Sequence, residues 1–443
     1  MDNYEIVIIG AAPSGAYFAR KMAKRGFSVK VIEKLSPETL GTRMDIFHVT
    51  RTDINTFEMP DVHEGDPAWA FEFTENHFSS PSNKYNFFMK AETVGLHMHE
   101  YVALMVKLAA QAGAEFEYSA AFKEFIFENG HIAGVRYETD SGIKEAGASV
   151  VVDCSGSGAV ARRALPNGYG IENFTLADDD MFYVLLRYAK FDEKQINTFW
   201  LHAKSWYAPF SMDETEKIIG TGAVGSYANA ERTAARLDAV ANQGRFELVR
   251  TEKGTTPFRR PPYSLVADNF IIAGDAACLT KPDCGEGVTS SMVMLDIAAD
   301  VVEGALRQGR ADKKALWNIN IIYNKKQGAD FSLVRAFLTK LITTITDDEI
   351  EYCFANGIIF NEKFLGDLKA SPADALQTLK GVLGGITGKQ ISLKTISAAM
   401  AGVSLAVMLR THYMNFPKDP ETLPVWSAVA DRLWKKVGKL SED

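Results

Sequence analysis

The sequence predicts a protein of the α/β class, in which a parallel sheet and an antiparallel sheet alternate along the chain before a helical region. Residues 4–32 have the pattern strand, helix, strand, which is typical of a parallel sheet with a right-handed crossover. Residues 181–226 are rich in the β-branched and aromatic side chains of antiparallel strands. Residues 313–368 and 372–409 have a mostly helical pattern.

The opening unit consists of a buried strand over residues 4–9, a helix over residues 14–25 and a second strand over residues 28–32. Its first apolar stretch runs directly into a glycine turn. The acidic Asp2 and Glu5 occupy positions where a secretory signal carries positive charge. We therefore expect a strand here and not a targeting segment.

The segment after this unit is less regular. Residues 43–92 mix polar residues with many aromatic ones, so we expect an excursion of the chain that lines a cavity. A helix is predicted for residues 97–113, and Asn129-Gly130 predicts a hairpin turn. A short apolar strand at residues 149–152 then returns the chain to the parallel sheet.

The second half begins with three predicted antiparallel strands, at residues 181–190, 198–206 and 217–226. A strand at residues 269–273 then leads into a helix over residues 289–308. We expect this last pair to belong to the parallel sheet.

Composition and charge exclude several classes of function. The chain has 443 residues, 47% of them hydrophobic, which is a globular composition too large for one small core. Its net charge of −8 argues against a nucleic-acid partner, because such binding needs a concentrated basic face. The four cysteines form no CxxC pair, so we expect no metal site and a reducing, cytoplasmic compartment.

An uncharged stretch at residues 395–409, flanked by Lys394 and Arg410, is the longest in the chain. It is shorter than the ~20 apolar residues that a membrane-spanning helix needs, so we expect no spanning segment. The stretch could instead lie on a bilayer surface as a peripheral contact, or form a packed core helix.

A glycine-rich turn connects the first strand and helix. Gly10-Ala11-Ala12-Pro13-Ser14-Gly15 lies where glycines let backbone N–H groups and a helix N-terminus meet a pyrophosphate. Glu33, at the end of the second strand, can accept hydrogen bonds from a ribose hydroxyl. Taken alone, such a turn, here with Ala12 in place of a glycine, could be only a turn.

A second motif follows the strand at residues 269–273. Gly274-Asp275-Ala276-Ala277 precedes Lys281-Pro282-Asp283-Cys284-Gly285-Glu286-Gly287-Val288 and a helix. If the ligand is a flavin nucleotide, the Asp275 carboxylate can bind a hydroxyl of its ribityl chain. The N-terminus of the following helix then points its dipole at the flavin ring. Two such motifs far apart in sequence favour FAD over a nicotinamide, which needs only the first.

The motifs also divide the chain. We expect a Rossmann-type FAD-binding domain formed by residues 1–60, 90–165 and 255–310. An antiparallel-sheet substrate domain is interleaved with it and comprises residues 61–89 and 166–254. A helical C-terminal region covers residues 311–443.

At this point the sequence resembles the flavoproteins of the p-hydroxybenzoate hydroxylase fold, and within them the geranylgeranyl reductase-like family. The matching segments are IVIIGAAPSG, VIEK, VVDCSG, SWYAPF, IIAGDAACLTKPDCGEGV and YNKKQGADFSLVRAFLTKLITTITDDEIE. The resemblance implies FAD, a two-domain architecture and the reduction of isoprenoid carbon–carbon double bonds.

The resemblance also implies roles for residues. Gly10, Gly15 and Glu33 would hold the ADP half with the backbone of Phe122 near the adenine, and Asp153 would close the nucleotide site. A turn-forming role after a strand is the alternative for Asp153. The full set expected to bind the cofactor is Gly10, Ala11, Ala12, Pro13, Ser14, Gly15, Glu33, Lys34, Arg43, His99, Phe122, Asp153, Gly156, Gly274, Asp275, Pro282, Gly285, Glu286, Gly287 and Val288.

Three departures from the family pattern bear on the substrate and the redox partner. The loop after the second strand reads Gly41-Thr42-Arg43-Met44, where the family usually has glycine, proline and cysteine. His97 and His99 stand where an arginine usually begins a helix. Cys284 precedes the last glycines, where a small or hydroxylated residue is usual.

Two residues are candidates for catalysis. Trp206 in SWYAPF matches a motif that lines the isoprenoid cavity in related reductases, although an aromatic residue on a strand can also be core. Cys284 lies at a helix N-terminus beside the expected flavin ring, which would lower the pKa of its thiol. The thiol could then donate a proton or act as a redox group, or it could be a structural filler.

The sequence therefore predicts an FAD-dependent oxidoreductase that passes hydride to an apolar isoprenoid substrate, with NAD(P)H or a ferredoxin-like protein as electron donor. One alternative is a flavin monooxygenase or halogenase acting on an aromatic substrate. The other is a non-catalytic flavin-binding module that docks on a membrane.

Overall fold

The structure is a computed structural model that describes residues 2–192, 198–202, 205–211, 215–241, 246–358, 380–381 and 383–439, without the side chains of residues 91, 198–211, 240 and 241. The strands are β1 (Asp2–Ile9), β2 (Val29–Ile32), β3 (Ile46–Thr50), β4 (Trp69–Ser79), β5 (Asn86–His97), β6 (Glu115–Glu117), β7 (Ala121–Glu128), β8 (His131–Thr139), β9 (Gly142–Asp153), β10 (Met181–Phe191), β11 (Thr198–His202), β12 (Ser205–Ser211), β13 (Glu216–Val224), β14 (Phe246–Pro257), β15 (Val266–Ala267) and β16 (Phe270–Ile272). The helices are α1 (Pro13–Lys24), α2 (Arg51–Thr56), α3 (Met98–Gln111), α4 (Val160–Ala164), α5 (Tyr227–Ala241), α6 (Val288–Leu306), α7 (Lys313–Leu316), α8 (Asn318–Tyr323), α9 (Ala329–Ile342), α10 (Asp347–Ala355), α11 (Leu393–Met414) and α12 (Leu423–Val437).

The first sheet carries the opening βαβ unit. Its strands run in the order β15-β16-β9-β1-β2-β6, and β8 pairs with both β9 and β7. The strands β16, β9, β1, β2 and β6 are parallel to one another, whereas β15 and β8 join this set by antiparallel pairing. Residues 6–9 of β1 are all buried, as expected for a central parallel strand covered on both faces. The predicted α/β class with a parallel sheet is thus confirmed.

The second sheet has the order β14-β10-β13-β12-β11-β4-β5-β3 and is mostly antiparallel. It differs from the sequence prediction at residues 198–206, where two strands, β11 and β12, replace one. They pair as a hairpin in which His202 lies opposite Ser205, so the chain reverses where a continuous strand was expected. Apolar content shows that a segment is a strand but not where it turns.

Residues 43–92 are not irregular as expected, because this segment contributes β3, β4 and β5 to the second sheet. Several of its aromatic side chains fill the core. Phe71 packs with Leu186 and Ile218, and the stacked rings of Phe78 and Phe87 have centroids 5.1 Å apart. The alternation of apolar and polar residues in β4 follows the period of a strand, which many interspersed polar residues obscured.

The helices position the sheet and its loops. α1 packs between α3 and α6 on the parallel sheet, and α11 packs against α9 and α12. Buried residues of α11 and α12, including Leu409 and Ala430, belong to the same hydrophobic core as the parallel sheet. Trp317 donates from its ring nitrogen to the Pro417 carbonyl oxygen at 2.9 Å, which ties the C-terminal helices to this core.

Candidate functional site

The glycine turn after β1 is built by close backbone approach. Gly10 has a φ of +103°, and a Cβ there would lie 2.5 Å from the Cys154 carbonyl oxygen. A Cβ at Gly15 would lie 1.9 Å from the Gly10 carbonyl oxygen. Ala12 occupies the N-cap position of α1 without a side-chain hydrogen bond, and Pro13 follows at the start of the helix. The uncapped N–H groups of this helix form a ready anion site.

Glu33 lies directly beside this turn. Its side chain is 6% exposed, and its carboxylate accepts hydrogen bonds from the backbone N–H groups of Ala11, at 2.8 Å, and Leu35, at 2.9 Å. The carboxylate is therefore held at the end of β2 next to the helix N-terminus. This is the position from which it can reach a ribose.

The segment that follows β6 passes beside Glu33. The N–H groups of Ser119 and Ala120 donate to the carbonyl oxygens of Leu35 and Glu33, at 3.1 and 2.8 Å. Phe122, which follows in β7, is half-buried and packs edge-on against Phe125. Lys34 is exposed between these contacts. The structure thus brings the residues expected around the adenine to one edge of the sheet.

The second motif lies at the end of β16. Gly274 has a φ of +61°, and a Cβ there would lie 2.9 Å from the Ser14 hydroxyl oxygen. The two glycine motifs, widely separated in sequence, are therefore in contact. Helix α6 begins beside them, with Gly287 at its N-cap and no side-chain hydrogen bond from that residue.

Asp275 is the acidic residue of this motif. Burial raises the pKa of its carboxyl to about 6, although the Thr280 hydroxyl and the charge of Arg43 oppose that shift. Thr280 donates to this carboxyl at 3.4 Å, and a Cβ at Gly287 would lie 3.3 Å from the same oxygen. The carboxyl thus faces the N-terminus of α6, where it can accept hydrogen bonds from a ligand.

The loop between Pro282 and Val288 is fixed by an ion pair. Glu286 accepts a hydrogen bond from the Thr289 N–H at 2.7 Å and pairs with the Lys281 ammonium at 2.9 Å. The Lys281 charge and these hydrogen bonds lower the pKa of Glu286 against the effect of burial, which is the largest influence. Its carboxylate therefore positions the loop. Gly285, with a φ of +76°, makes the turn at the tip.

Asp153 behaves differently from the expectation that it closes the nucleotide site. Its carboxylate is fully buried and accepts hydrogen bonds from the N–H groups of Ser155, at 2.9 Å, and Arg162, at 2.7 Å. The alternative of a turn-forming role therefore describes its contacts. The residue fixes the loop whose Cys154 and Ser155 backbone lies against Gly10 and which continues through Gly156.

The loop after β2 and the start of α3 also meet. His99 has its Nδ1 atom 2.7 Å from the Leu40 carbonyl oxygen, and a Cβ at Gly41 would lie 2.9 Å from the His99 Cα. Arg43 is exposed, 3.5 Å from the Thr255 hydroxyl, and its charge acts on Asp275. Arg43 therefore lies between the two sheets, on the side of the second motif.

One residue near the site was missed by sequence reasoning. His48 on β3 is half-buried and lies within electrostatic reach of Glu286 and Lys281. Burial lowers the pKa of its imidazole, so this ring is neutral at physiological pH. Because the segment was interpreted as irregular, its strand register, which places His48 opposite Gly95, was not considered.

The two catalytic candidates have different outcomes. Cys284 is exposed, as are Asp283 and Gly285 beside it, while the protein packed around this loop and the Asp283 charge raise the pKa of its thiol to about 12. This direction is opposite to the expected lowering, so the thiol is neutral. The Trp206 backbone pairs with Leu201 and Gly222, whereas its side chain lies outside the described residues.

These features fit FAD. The close contacts at Gly10 and Gly15 leave no room for side chains under a pyrophosphate, and α1 presents free N–H groups. The contact between Gly274 and Ser14 puts the second motif beside the first, and Asp275 supplies a partly buried acceptor there. One dinucleotide can therefore reach both motifs.

Comparison with known proteins agrees with this geometry. The model of the FAD dependent oxidoreductase family matches residues 5–172. The chain is 25% identical to the digeranylgeranylglycerophospholipid reductase of Sulfolobus acidocaldarius, over 99% of this chain and 98% of that relative.

Solved structures share the fold. A geranylgeranyl bacteriochlorophyll reductase-like protein from Thermoplasma acidophilum superposes with a TM-score of 0.73 at 18% identity, over 86% of this chain and 96% of that one. A flavin-dependent brominase superposes with a TM-score of 0.62 at 17% identity, over 87% and 100%. The expected cofactor, FAD, and the oxidoreductase class are thereby confirmed. The chain is an FAD-dependent oxidoreductase that is similar to the geranylgeranyl reductase-like proteins.

Proposed function

We propose that this enzyme reduces carbon–carbon double bonds in the isoprenoid chain of a lipid, with electrons from FAD. The observation that carries the proposal is the similarity to a digeranylgeranylglycerophospholipid reductase along nearly the whole of both chains. The fold is a weaker guide to the reaction, because a brominase shares it.

When bound, reduced FAD supplies a hydride to one alkene carbon, and the other carbon takes a proton. The residues of this chain hold the cofactor in place. The N-terminus of α1 binds the pyrophosphate, Glu33 binds the adenosine ribose, and Asp275 accepts hydrogen bonds from the ribityl chain. The Lys281–Glu286 pair fixes the loop at the N-terminus of α6.

The proton requires a group that holds it at neutral pH. We propose Cys284, whose Sγ atom stays protonated because the pKa of the thiol is raised to about 12. This loop position follows directly on the second FAD motif. His48 is the second group at this end of the site that can hold a proton, at a ring nitrogen, and it lies near the same ion pair.

The substrate is bound by apolar area, because an isoprenoid chain offers no polar group along its length. Each Å² of apolar surface removed from water contributes ~25 cal/mol, so a long chain needs an extended apolar wall. We propose that the second sheet provides this wall and that Trp206 on β12 is part of it.

Electrons must enter from a donor outside this site. The sequence has one glycine fingerprint, at Gly10, so a nicotinamide would have no Rossmann motif of its own. We propose either a transiently bound NAD(P)H or a ferredoxin-like protein. Anaerobic flavin reduction by NADPH, NADH or reduced ferredoxin distinguishes the two classes of donor.

We also propose that the enzyme works in the cytoplasm, on the surface of a membrane. α11 has 22 residues and is long and apolar enough to cross a bilayer, but one face, which includes Leu405 and Leu409, is packed in the protein core. The opposite face exposes a stripe of apolar side chains at helical spacing, namely Leu393, Met400, Val403, Val407 and Met414. A helix with one packed face and one apolar exposed face suits the plane of the interface.

Basic residues accompany this stripe. Lys394 near the start of α11, Lys418 after it, and Lys435 and Lys436 at the end of α12 are exposed. Val425 on α12 is 75% exposed and extends the apolar surface. Anionic lipid headgroups would attract these ammonium groups while the acyl region accepts the apolar side chains.

The proposed reaction is tested with the reduced holoenzyme under anaerobic conditions. Addition of a geranylgeranyl lipid should reoxidise the flavin and yield a product heavier by two hydrogens for each double bond. An FAD monooxygenase or halogenase would leave the flavin reduced until oxygen is admitted and would then act on an aromatic compound. A non-catalytic module would show no substrate-dependent change in flavin absorbance.

A further inference from the structure

A cavity lies where the C-terminal helices dock on the parallel sheet, apart from the glycine motifs. Its wall includes Arg260, Tyr323, Asn324, Ser332, Arg335 and Tyr413. It has room for little more than one particle of the size of a water molecule. Phosphate, carboxylate and organic ligands are therefore too large for it.

Arg335 in this wall is a buried cation without a counterion. The side chain is 4% exposed, and no carboxylate pairs with it in the part of the chain that the structure describes. Its Nη2 atom reaches the Thr280 carbonyl oxygen only at 3.5 Å, and its Nε–H has no hydrogen-bond partner among the described residues. An arginine side chain cannot lose its charge in a protein, so the unpaired cation is costly.

The other groups around the cavity do not supply the missing charge. The Tyr323 hydroxyl is buried and also lacks a hydrogen-bond partner within the described part of the chain. Burial raises the pKa of Tyr323 and of Tyr413, so both phenols are neutral donors. Arg260 is a second cation, and its guanidinium is already paired with the Glu172 carboxylate at 2.8 Å.

The backbone at this wall is also irregular. Residues Asn324–Gly328 form a single π-helical turn between α8 and α9, a feature found frequently at functional sites. A Cβ at Gly328 would lie 2.9 Å from the Tyr323 ring, so glycine is needed to keep this turn closed against the tyrosine. The turn thereby holds the Tyr323 hydroxyl at the cavity.

We propose that the cavity binds one monatomic anion of the halide class, chloride under ordinary conditions, held by the Arg335 Nε–H and the Tyr323 hydroxyl. The anion neutralises Arg335 and accepts hydrogen bonds from both of these donors. Because Arg335 reaches the Thr280 carbonyl oxygen, and Thr280 donates to Asp275, the anion also supports the loop of the second FAD motif. The inference does not depend on the substrate.

The test measures thermal unfolding of the FAD-loaded protein in sodium chloride or bromide against sodium gluconate at equal ionic strength. A ligand that binds only the folded protein raises its Tm. We expect a saturable rise of about 1–2 °C when the halide concentration increases a hundredfold across the dissociation constant. Gluconate is too large for the cavity and should give no such rise. A Tm that responds equally to both salts would overturn the proposal.

Two variants separate the site from general salt effects. Tyr323→Phe keeps the ring and removes one donor, so the halide-dependent rise should shrink by at least half. Arg335→Met removes the charge, so the halide-dependent rise in Tm should vanish. The Tm in gluconate should be retained or increased, because the variant no longer buries an unpaired charge. Tyr183→Phe, on β10, is the matched control and should keep the full response.

Bromide offers a direct observation. Crystals of the wild-type protein grown in sodium bromide should show an anomalous scattering peak between the Arg335 and Tyr323 side chains, absent in Arg335→Met. Ordered density at this point without an anomalous signal would identify a water molecule and overturn the proposal. The proposal would also be overturned if Tyr323→Phe and Arg335→Met both kept the full halide response.

Discussion

Gly274 lies against Ser14, so close that a Cβ on the glycine would be 2.9 Å from the serine hydroxyl oxygen. Ser14 is in the first turn of α1, and Gly274 follows β16, so this contact joins the two motifs that we propose to bind one cofactor. The parallel pairing of β16 with β9 and of β9 with β1 brings them together. Neither motif would be positioned without this strand order.

The first prediction concerns this contact. Gly274→Ala should lower FAD occupancy of the purified protein at least several-fold, because the new Cβ meets Ser14 and the backbone has a φ of +61°. Occupancy is measured from the ratio of flavin to protein absorbance. The control is Gly304→Ala in α6, where no atom of the described residues lies within 4 Å of the added Cβ. This variant should keep the flavin, and its free energy of unfolding should rise by about 0.5–1 kcal/mol. Equal occupancy in both variants would contradict the assigned contact.

Asp275 should make FAD affinity depend on pH. The pKa of its carboxyl is raised to about 6, so the carboxylate that accepts a ribityl hydrogen bond is lost as pH falls through 6. Affinity should therefore weaken below pH 6 in the wild type, measured by fluorescence titration of the apoprotein with FAD. Asp275→Asn should bind more weakly and lose this pH dependence, whereas Asp283→Ala should resemble the wild type. A pH profile unchanged by Asp275→Asn would refute the assignment.

The same raised pKa has a consequence for the stability of the apoprotein. The folded state holds the Asp275 proton up to about pH 6, whereas the unfolded chain releases it near 3.8. The folded state therefore binds more protons in this window, and this carboxyl makes stability fall as pH rises from about 4 to 6. Urea unfolding of the apoprotein should show this contribution, and Asp275→Asn should remove it.

Cys284 should act after flavin reduction. Cys284→Ser should slow the oxidation of reduced flavin by the alkene by about 10²-fold, as expected for loss of a proton donor, and leave flavin reduction by dithionite unchanged. Cys353→Ser, which replaces a buried thiol on α10, is the control and should leave both rates unchanged. If both variants oxidise at the wild-type rate, the thiol is not the donor and His48 becomes the next group to test.

The sequence predicted the site better than the surroundings of the site, for a physical reason. The glycine turn and Gly274 are local features whose residue type is required by close contacts, and Glu33 and Asp275 each follow a strand closely in the sequence. Asp153 shows the limit, since its carboxylate turned out to bind its own loop. Whether a carboxylate points to a ligand or to nearby N–H groups depends on side-chain geometry and not on the motif.

The second sheet shows what local pattern could not supply. Its order places β3 beside β5 and β4 beside β11, pairings between segments far apart in the chain. His48 approaches Lys281 and Glu286 only through these pairings. The cavity at Arg335 likewise depends on the docking of α9 against Tyr323 and Tyr413. Such tertiary contacts leave no periodic signal in sequence.

Trp206 should affect substrates according to their length. Trp206→Ala should raise the apparent KM for long prenyl lipids much more than for short ones, because only a long chain extends to β12. FAD content should be unchanged, since the residue is outside both nucleotide motifs. Steady-state assays with prenyl chains of graded length measure this. Equal increases in apparent KM for all chain lengths would mean that Trp206 supports the sheet and does not line the substrate site.

The exposed stripe of α11 should bind bilayers, and a matched pair of substitutions can test it. Val407 on α11 is 53% exposed and Val249 on β14 is 54% exposed, so the same change to glutamate alters two equally accessible valines. Val407→Glu places a charge in the apolar stripe and should reduce binding to phosphatidylglycerol vesicles about tenfold or more in a sedimentation assay. Val249→Glu should bind as the wild type does.

The lipid composition separates the two contributions to this binding. On phosphatidylcholine vesicles the basic residues near α11 and α12 gain nothing, so wild-type binding should be weaker and insensitive to salt. Activity on a short, soluble prenyl substrate should remain unchanged in Val407→Glu, because α11 lies apart from the flavin site. Activity on the same substrate class embedded in vesicles should fall with binding. If Val407→Glu and Val249→Glu lose vesicle binding equally, charge at any exposed surface is responsible, and the stripe on α11 has no particular role.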